Sequence, residues 1–356
     1  AIELSVCDCH KQQSNHIRKA FMNYQEKVFS INKNFSTTHL ISREKPLLEN
    51  NINDKFESII FLPKNVERIK EGGLRTKGYF KQNSSSQPLV TIITVVFNGE
   101  KFIQESIESV LNQTYHNIEY IVIDGGSTDR TIKIIEQYND FIDYWVSEKD
   151  KGIYDAMNKG IKLSTGQIIG ILNSDDYYNL DSIHKIVDIY NQNQSKYDDL
   201  IVLSGSILKI DEQKSVQFIN KRNYYYLSRN INWGMPLNHP STFISKKIYK
   251  RIGIFSEKFK ICGDYELVYR IYHSNYKPKF MFLDDVIATM RLDGVSNQIS
   301  SIFTRSIEHY LVRKINKNNC INVYISLVWM IKAILKSYSK KILNTNILKR
   351  YYARYK

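Results

Sequence analysis

Apolar positions along the chain fall into short unbroken runs that alternate with segments of helical spacing, and this pattern begins abruptly at Leu89. Residues 89–97 (LVTIITVVF) form a β-branched run of strand length, the kind buried on both faces of a parallel sheet. Over 100–114 the apolar residues sit at Ile103, Ile107, Val110 and Leu111, which predicts a helix. A second strand is predicted over 118–124 and a second helix over 128–138, with Asp129 in its first turn, where negative charge suits the helix dipole. The alternation continues with a strand over 142–146, a helix over 153–163, a buried strand over 167–172, a helix over 180–191 and a strand over 200–205. Such alternation predicts βαβ units around a mostly parallel sheet. Ligands bind such sheets at the carboxyl ends of the strands. Polar residues collect there: Asn98 after the first strand, Asp124 at the end of the second, Asp175 and Asp176 after the fourth. A further strand is expected over 241–245, and Tyr224, Tyr225 and Tyr226 are expected on an amphipathic strand face.

The flanks differ from this middle. Residues 1–70 show no repeat or motif, only the apolar stretch Ile59, Ile60, Phe61 and Leu62. Gly72, Gly73, Gly78 and the run Ser84-Ser85-Ser86-Gln87-Pro88 predict a linker. Three parts follow: an N-terminal extension over 1–88, a folded domain over 89–300 and a tail over 301–356. Charge separates them further. The net charge of +14 comprises +5 over residues 1–88, −2 over 89–308 and +11 over 309–356, where eleven basic residues meet no acid. A basic chain suggests an anionic partner, but nucleic-acid binding needs basic and aromatic residues interleaved on a folded face. The folded middle is near neutral, so no nucleic-acid partner is expected.

At 42% hydrophobic and 24% charged residues the chain is neither disordered nor collagen-like. Its 356 residues bury a core without disulfides or a structural metal. Cys7, Cys9, Cys262 and Cys320 contain no C-x-x-C pair, and Cys7-Asp8-Cys9-His10 is too tightly spaced for a tetrahedral site, so reduced thiols are expected. Glu3 and Asp8 interrupt any apolar core at the start, against a signal peptide, and the lack of an initiator Met suits a piece of a longer polypeptide. No window reaches the ~18 apolar residues of a membrane span. The best stretch, 321–335, is broken by Asn322, Ser326 and Lys332. A cytoplasmic chain is the expectation.

Three groups carry candidate chemistry. Asp124-Gly125-Gly126-Ser127-Thr128-Asp129 places a carboxylate at a strand end before two glycines and a helix start. A Rossmann domain holds ribose with such an acid. Here, however, Phe97-Asn98-Gly99-Glu100 follows the first strand in place of G-x-G-x-x-G, and no Walker-type phosphate loop occurs, against a nicotinamide, flavin or P-loop enzyme. Asp175 and Asp176 are adjacent carboxylates that repel each other. They fit either a hard divalent cation or the cap of the next helix. Asp264, in Cys262-Gly263-Asp264-Tyr265-Glu266-Leu267, is either a general base or a helix cap.

In combination, residues 89–295 resemble the family 2 glycosyltransferases, inverting enzymes of the GT-A fold. The resemblance rests on Thr94-Val95-Val96-Phe97-Asn98-Gly99-Glu100, the 124–129 segment, the run from Asp150 to Asn158, Asn173-Ser174-Asp175-Asp176, and Gly263-Asp264-Tyr265-Glu266-Leu267. Within the family it is most similar to bacterial enzymes building surface polysaccharide such as O-antigen or capsule. It implies an α/β fold with a Rossmann-like nucleotide-binding mixed sheet flanked by helices, here bearing an N-terminal extension and a basic helical C-terminal tail. Phe97, Asn98, Glu100 and Asp124 then correspond to the pocket for base and ribose, with Gly126, Ser127 and Asp129 in the loop beside it. Lys151, Gly152, Asp155 and Asn158 match a second wall of the donor site. Asn173, Ser174, Asp175 and Asp176 fall at the D-x-D motif. Ser174 departs from the first acid, which leaves Asp176 as metal ligand and Asp175 as ribose or metal partner. Asp264 matches the catalytic base.

The implied reaction is direct displacement on a nucleotide sugar, a UDP-sugar, by a saccharide or lipid-linked saccharide, assisted by Mn²⁺ or Mg²⁺. Beyond these motifs, Trp233 either stacks on an acceptor sugar or packs internally, and His239 either reaches a phosphate or is held by hydrogen bonds. Arg291 with Asp293-Gly294-Val295-Ser296 resembles a segment closing over the diphosphate. The tail, with Tyr324, Trp329, Tyr338 and Tyr351, reads as basic amphipathic helix that either lies on an anionic membrane through 309–356 or packs on the domain. Two competing classes are weaker. A sugar-nucleotide synthesising transferase needs a Gly- and Arg-rich loop after the first strand, and a non-catalytic binding module has no need of Asp176 and Asp264 together.

Overall fold

The β-branched run after the linker region becomes the centre of the molecule in a computed structural model that describes residues 28–83, 87–211, 213–292, 301–316 and 331. Before it come β1 (Ile41–Ser42), β2 (Arg68–Gly72) and β3 (Phe80–Lys81). Then follow β4 (Val90–Val96), α1 (Ile103–Leu111), β5 (Ile118–Asp124), α2 (Thr131–Gln137), β6 (Tyr144–Glu148), α3 (Ile153–Leu163) and β7 (Ile168–Asn173). The chain continues through β8 (Tyr177–Tyr178), α4 (Ser182–Asn193), β9 (Ile201–Ile210), β10 (Val216–Asn220) and α5 (Tyr224–Asn230). Last are β11 (Thr242–Ser245), α6 (Lys246–Ile252), α7 (Gly263–Tyr272), β12 (Lys279–Arg291) and α8 (Ser301–Ile315).

Ten strands form one sheet in the order β2-β6-β5-β4-β7-β11-β9-β12-β8, with β10 added on β9. The β4–β5, β4–β7 and β5–β6 pairs are parallel, as the alternation predicts, because crossover helices return the chain to the same end of the sheet before each of β5, β6 and β7. Beyond β7 the sheet turns mixed, with β11 antiparallel to both β7 and β9. Every residue of β4 and β5 is buried. Their alternate side chains feed two cores, Ile93, Val95, Ile121 and Ile123 on one face and Val90, Ile92, Ile118 and Val122 on the other. Burying each such side chain contributes roughly 1.5–3 kcal/mol, which is why the central strands were legible first.

Two expectations change. The glycines read as linker belong to structure: β2 ends at Gly72 and pairs antiparallel with β6 as the edge of the main sheet. The segment beyond is clamped by Arg75, whose guanidinium reaches Glu119 at 2.5 Å and donates to the carbonyls of Ile60 and Leu163. The tyrosine run is α5, not a strand, because the side chain of Asn223 caps it by accepting from the N–H of Tyr226 at 2.8 Å.

Candidate active site

Parallel register brings the strand ends together, pairing Val96 with Asp124, Val95 with Asn173, and Asp124 with Ser147. Asp124 is fully buried, and both of its oxygens are occupied by the protein. Its Oδ2 accepts from the N–H groups of Gly126 (3.1 Å) and Ser127 (2.9 Å) and from the Ser147 hydroxyl (2.6 Å), while Oδ1 accepts from the Ser127 hydroxyl. Asp124 therefore shapes the loop that was expected to border a ligand. The loop after β4 is stitched to it. Asn98 donates its N–H to Ser127 Oγ (2.7 Å), and its Oδ1 accepts from the N–H of Thr128 (2.9 Å). Glu100 N–H donates to Asp129 (3.2 Å). Burial raises Asp129, but donors from Thr131 outweigh it and hold the carboxyl below its usual range. The N–H and side chain of Arg130 hold the Glu100 carboxyl low as well. Phe97 ends β4 with 63% of its surface exposed, an aromatic face at the open end of the sheet.

The second wall is divided. Lys151 is exposed, and its N–H donates to Asp155 Oδ2 (3.0 Å), which also pairs with Lys159. Asn158, expected beside Asp155 on a ligand-facing side, is buried and faces the other way. Its amide donates to the carbonyl of Phe255 (3.0 Å) and accepts from the N–H of the same residue (2.9 Å), so it clamps α3 to the segment after α6. Asp150, which carried no role in the sequence reading, takes a place at the site. A Cβ on Gly125 would lie 2.3 Å from Asp150 Oδ2, so the glycine is what admits this carboxylate over the end of β5. Burial pushes Asp150 up, against the donor N–H of Gly152.

At the end of β7, Asp176 is buried and its Oδ1 accepts from the N–H of Arg291 (3.2 Å). Burial, and then the charge of Asp175, push it well above the usual carboxylate range. Asp175 is only partly buried and is also pushed up by burial. Of the pair, Asp175 is the more open and Asp176, the expected metal ligand, the more enclosed. Asn173 Oδ1 is buried without a hydrogen-bond partner. Two carboxylates and an orphaned amide oxygen are hard donors that fit a divalent cation. No group of three His, Cys, Asp or Glu suited to a metal occurs among the described residues, so such an ion would complete its shell with water and ligand oxygens. Arg291, 3% exposed, pairs with Glu105 and lies 4.3 Å above the Phe102 ring. Its Nε and one terminal nitrogen have no partner among the described residues. Residues 293–296 lie outside the described residues.

Asp264 occupies the first turn of α7, where a capping role was the competing reading. Glu308 of α8 holds the segment leading into that turn, accepting from the N–H groups of Lys260 (2.7 Å), Ile261 (3.0 Å) and Cys262 (2.8 Å). Asp264 itself accepts from a first-turn N–H, that of Tyr265 (2.7 Å), and the Tyr154 hydroxyl stands beside it. With His239 it lines a cavity of about 20 Å³, walled by Ile171, Met235, Leu267 and Val268, room for about one water. Burial pushes Asp264 up, His239 opposing, and burial pushes His239 down. Tyr154, also missed in the sequence, donates its hydroxyl to the carbonyl of Ile261 (2.7 Å). Its ring fills the space where a Cβ on Gly263 would stand, 2.7 Å away. Trp233 is 40% exposed, and its carbonyl meets His309 Nδ1 at 3.2 Å. Burial pushes His309 down to about 3.

Known proteins with this arrangement are glycosyltransferases. The sequence signature described as glycosyl transferase family 2 matches residues 91–253. An uncharacterized glycosyltransferase of Rickettsia typhi is 36% identical over 196 residues, 53% of this chain and 60% of that protein. Another, of Rickettsia prowazekii, is 31% identical over 255 residues, 68% of this chain and 77% of that protein. The chain thus spans 60% of the length of the first of these relatives. The structure of S. aureus TarS 1–349 in complex with UDP-GlcNAc superposes with a TM-score of 0.50 at 20% identity, covering 64% of this chain and 65% of that one, a likeness of fold. From the signature, the relatives and the mixed sheet, the chain belongs to the family 2 glycosyltransferases and has their GT-A fold.

Proposed function

We propose that this glycosyltransferase moves a sugar from a UDP-sugar to a saccharide or lipid-linked saccharide, with inversion, in the synthesis of a bacterial surface polysaccharide. The observation that carries this reading is Asp264: a carboxylate in the first turn of α7, raised by burial, that lines a cavity together with His239. A base works best when its pKa approaches the operating pH, and burial moves Asp264 in that direction. Asp264 takes the proton of the acceptor hydroxyl while the acceptor oxygen bonds to the anomeric carbon and the bond to the nucleoside diphosphate breaks. One displacement with one base inverts the anomeric centre.

The donor lies across the strand ends in this reading. Phe97 offers a face to the base, the backbone around Asn98, Gly126 and Ser127 follows the nucleoside, and Asp150 extends this wall. Asp175, with Asp176 and Asn173 behind it, would hold Mn²⁺ or Mg²⁺, which when bound neutralises charge on the departing diphosphate. The unpaired nitrogens of Arg291 beside this pair suit the same phosphates. Hexosyl or N-acetylhexosaminyl transfer is the expected specificity. The acid-free end of the chain suits peripheral attachment at the inner face of the cytoplasmic membrane.

Assaying release of nucleoside diphosphate over a panel of nucleotide sugars, with and without Mn²⁺, tests the reading. Turnover of one UDP-sugar, abolished by Asp264→Asn with donor affinity kept, is expected. Donor affinity falling as far as the rate would overturn the base assignment, and full activity in chelator would overturn the metal.

A further inference from the structure

We propose that β10, α5 and the turn at Trp233 form a surface that lies on an anionic lipid bilayer. Val216, Phe218 and Ile219 of β10, Tyr224 and Tyr225 of α5, and Trp233 expose between 40% and 64% of their surface within eighteen consecutive residues. The first four residues of β10 are exposed on both faces of the strand, unlike the buried central strands of the same sheet. Core packing therefore does not explain their apolar side chains. A concentrated exposed apolar patch of this kind marks an interaction site.

Charge selects the partner. Residues 213–245 contain Lys214, Lys221, Arg222 and Arg229 and no acidic residue. Lys214 is tied to Glu105, but the others interleave with the aromatics: Arg229 lies 4.6 Å above the Tyr225 ring and Arg222 lies 4.0 Å above that of Tyr226. Aliphatic side chains flanked by Tyr, Trp, Lys and Arg suit the boundary between headgroups and acyl chains. Val216 and Ile219 offer a sugar neither hydrogen bonds nor an aromatic face, which argues against a saccharide as occupant of β10. Two copies of one basic face repel, which argues against a dimer.

The chain path supports the same partner. α8 is fixed to the turn after α5 through His309 on the carbonyl of Trp233 and Arg313 on that of Asn232, the latter at 3.2 Å. From Asn316 the sequence runs on for forty residues with nine Lys or Arg and no acid. The last described helix thus ends near the patch, and the basic sequence that follows it suits the same anionic surface. Five residues separate Trp233 from His239 at the cavity with Asp264, so docking here would present that cavity to an acceptor displayed on lipid. That last consequence rests on the proposed function; the binding itself does not.

The test uses the full chain and vesicles of phosphatidylcholine, with or without phosphatidylglycerol. Flotation with the phosphatidylglycerol vesicles alone, weakened by salt, is expected, together with hydrogen-exchange protection over 213–233. The exposed double substitution F218D/I219D should weaken partitioning by at least about tenfold while leaving Tm and donor hydrolysis at their native levels. Flotation unchanged by the substitution, or protection confined to 317–356, overturns the proposal. So does an absence of flotation, or a dimer that the substitution abolishes in a chain that binds no vesicle. Vesicle binding without turnover of any nucleotide sugar would refute the glycosyl reading and leave this surface standing.

Discussion

At the scale of single residues, the site depends on which carboxylates the protein occupies and which it leaves open. Asp124 has both oxygens filled, so Asp124→Asn should disorder the loop and lower Tm as well as activity. Asp264 is different: Asp264→Asn should lower kcat by about 10²–10⁴ at unchanged Tm, read by initial rates and thermal unfolding. His239 opposes the upward push of burial on Asp264. His239→Gln removes that opposition, so Asp264 holds its proton to higher pH, and the acid limb of the kcat profile should move to higher pH. Tyr154, Cys262 and Tyr249 also face this cavity or Asp264, and their retention in the variant isolates the histidine. At the end of β7, burial raises Asp175 and Asp176, so the native state keeps protons that the unfolded chain has released. In chelator, stability should therefore fall as pH rises above the usual carboxylate range. Asp176→Asn should flatten that fall, and Mn²⁺ at ~100 times Kd should restore about 2.7 kcal/mol, visible in Tm against pH. The carboxylates were legible in the sequence because strand ends locate them. Their occupancy was not, since the Gly126, Ser147 and Arg291 groups that decide it depend on how loops and a distant strand fold back.

At the scale of elements, the alternation of buried runs and helical spacings was enough to place β4 through α4, because each element buries its own apolar set against a neighbour close in sequence. What it missed has a different cause. The segment 68–83 shows no apolar periodicity and is held by charge and backbone bonds to partners far along the chain. Arg75 pairs with Glu119 across forty-four residues, both almost fully buried, and Thr91 and Thr165 complete the carboxylate's bonds. No local pattern announces such a pair. Removing one partner leaves a buried charge alone, at a cost of about 3–5 kcal/mol. Arg75→Ala should lose that much in urea unfolding, and the double variant with Glu119→Ala should lose less than the sum of the singles. α5 departs from expectation for a related reason: three tyrosines suit a strand by propensity, but a cap from Asn223 and the burial of Leu227 in the core set the helix.

At the scale of the whole molecule, the sheet places its parallel half, β6-β5-β4-β7, at the ligand-facing ends, while its mixed half, β11-β9-β12-β8, carries the wall with His239 and Arg291. The net charge follows this division, near zero where carboxylates act and strongly positive where the chain ends. Gly125→Ala tests how closely the two loops of the parallel half are fitted. The added Cβ must displace Asp150, so donor affinity should fall by about tenfold or more with Tm little changed, measured by calorimetric titration. The contact of Glu308 with the start of α7 has a consequence in time as well as space. During synthesis β12 completes the sheet at Arg291, yet the N–H groups that Glu308 satisfies wait until α8 has left the ribosome. The segment leading into Asp264 is thus fixed only after the sheet exists, and a nascent chain arrested before residue 308 would hold a finished sheet with that segment unanchored.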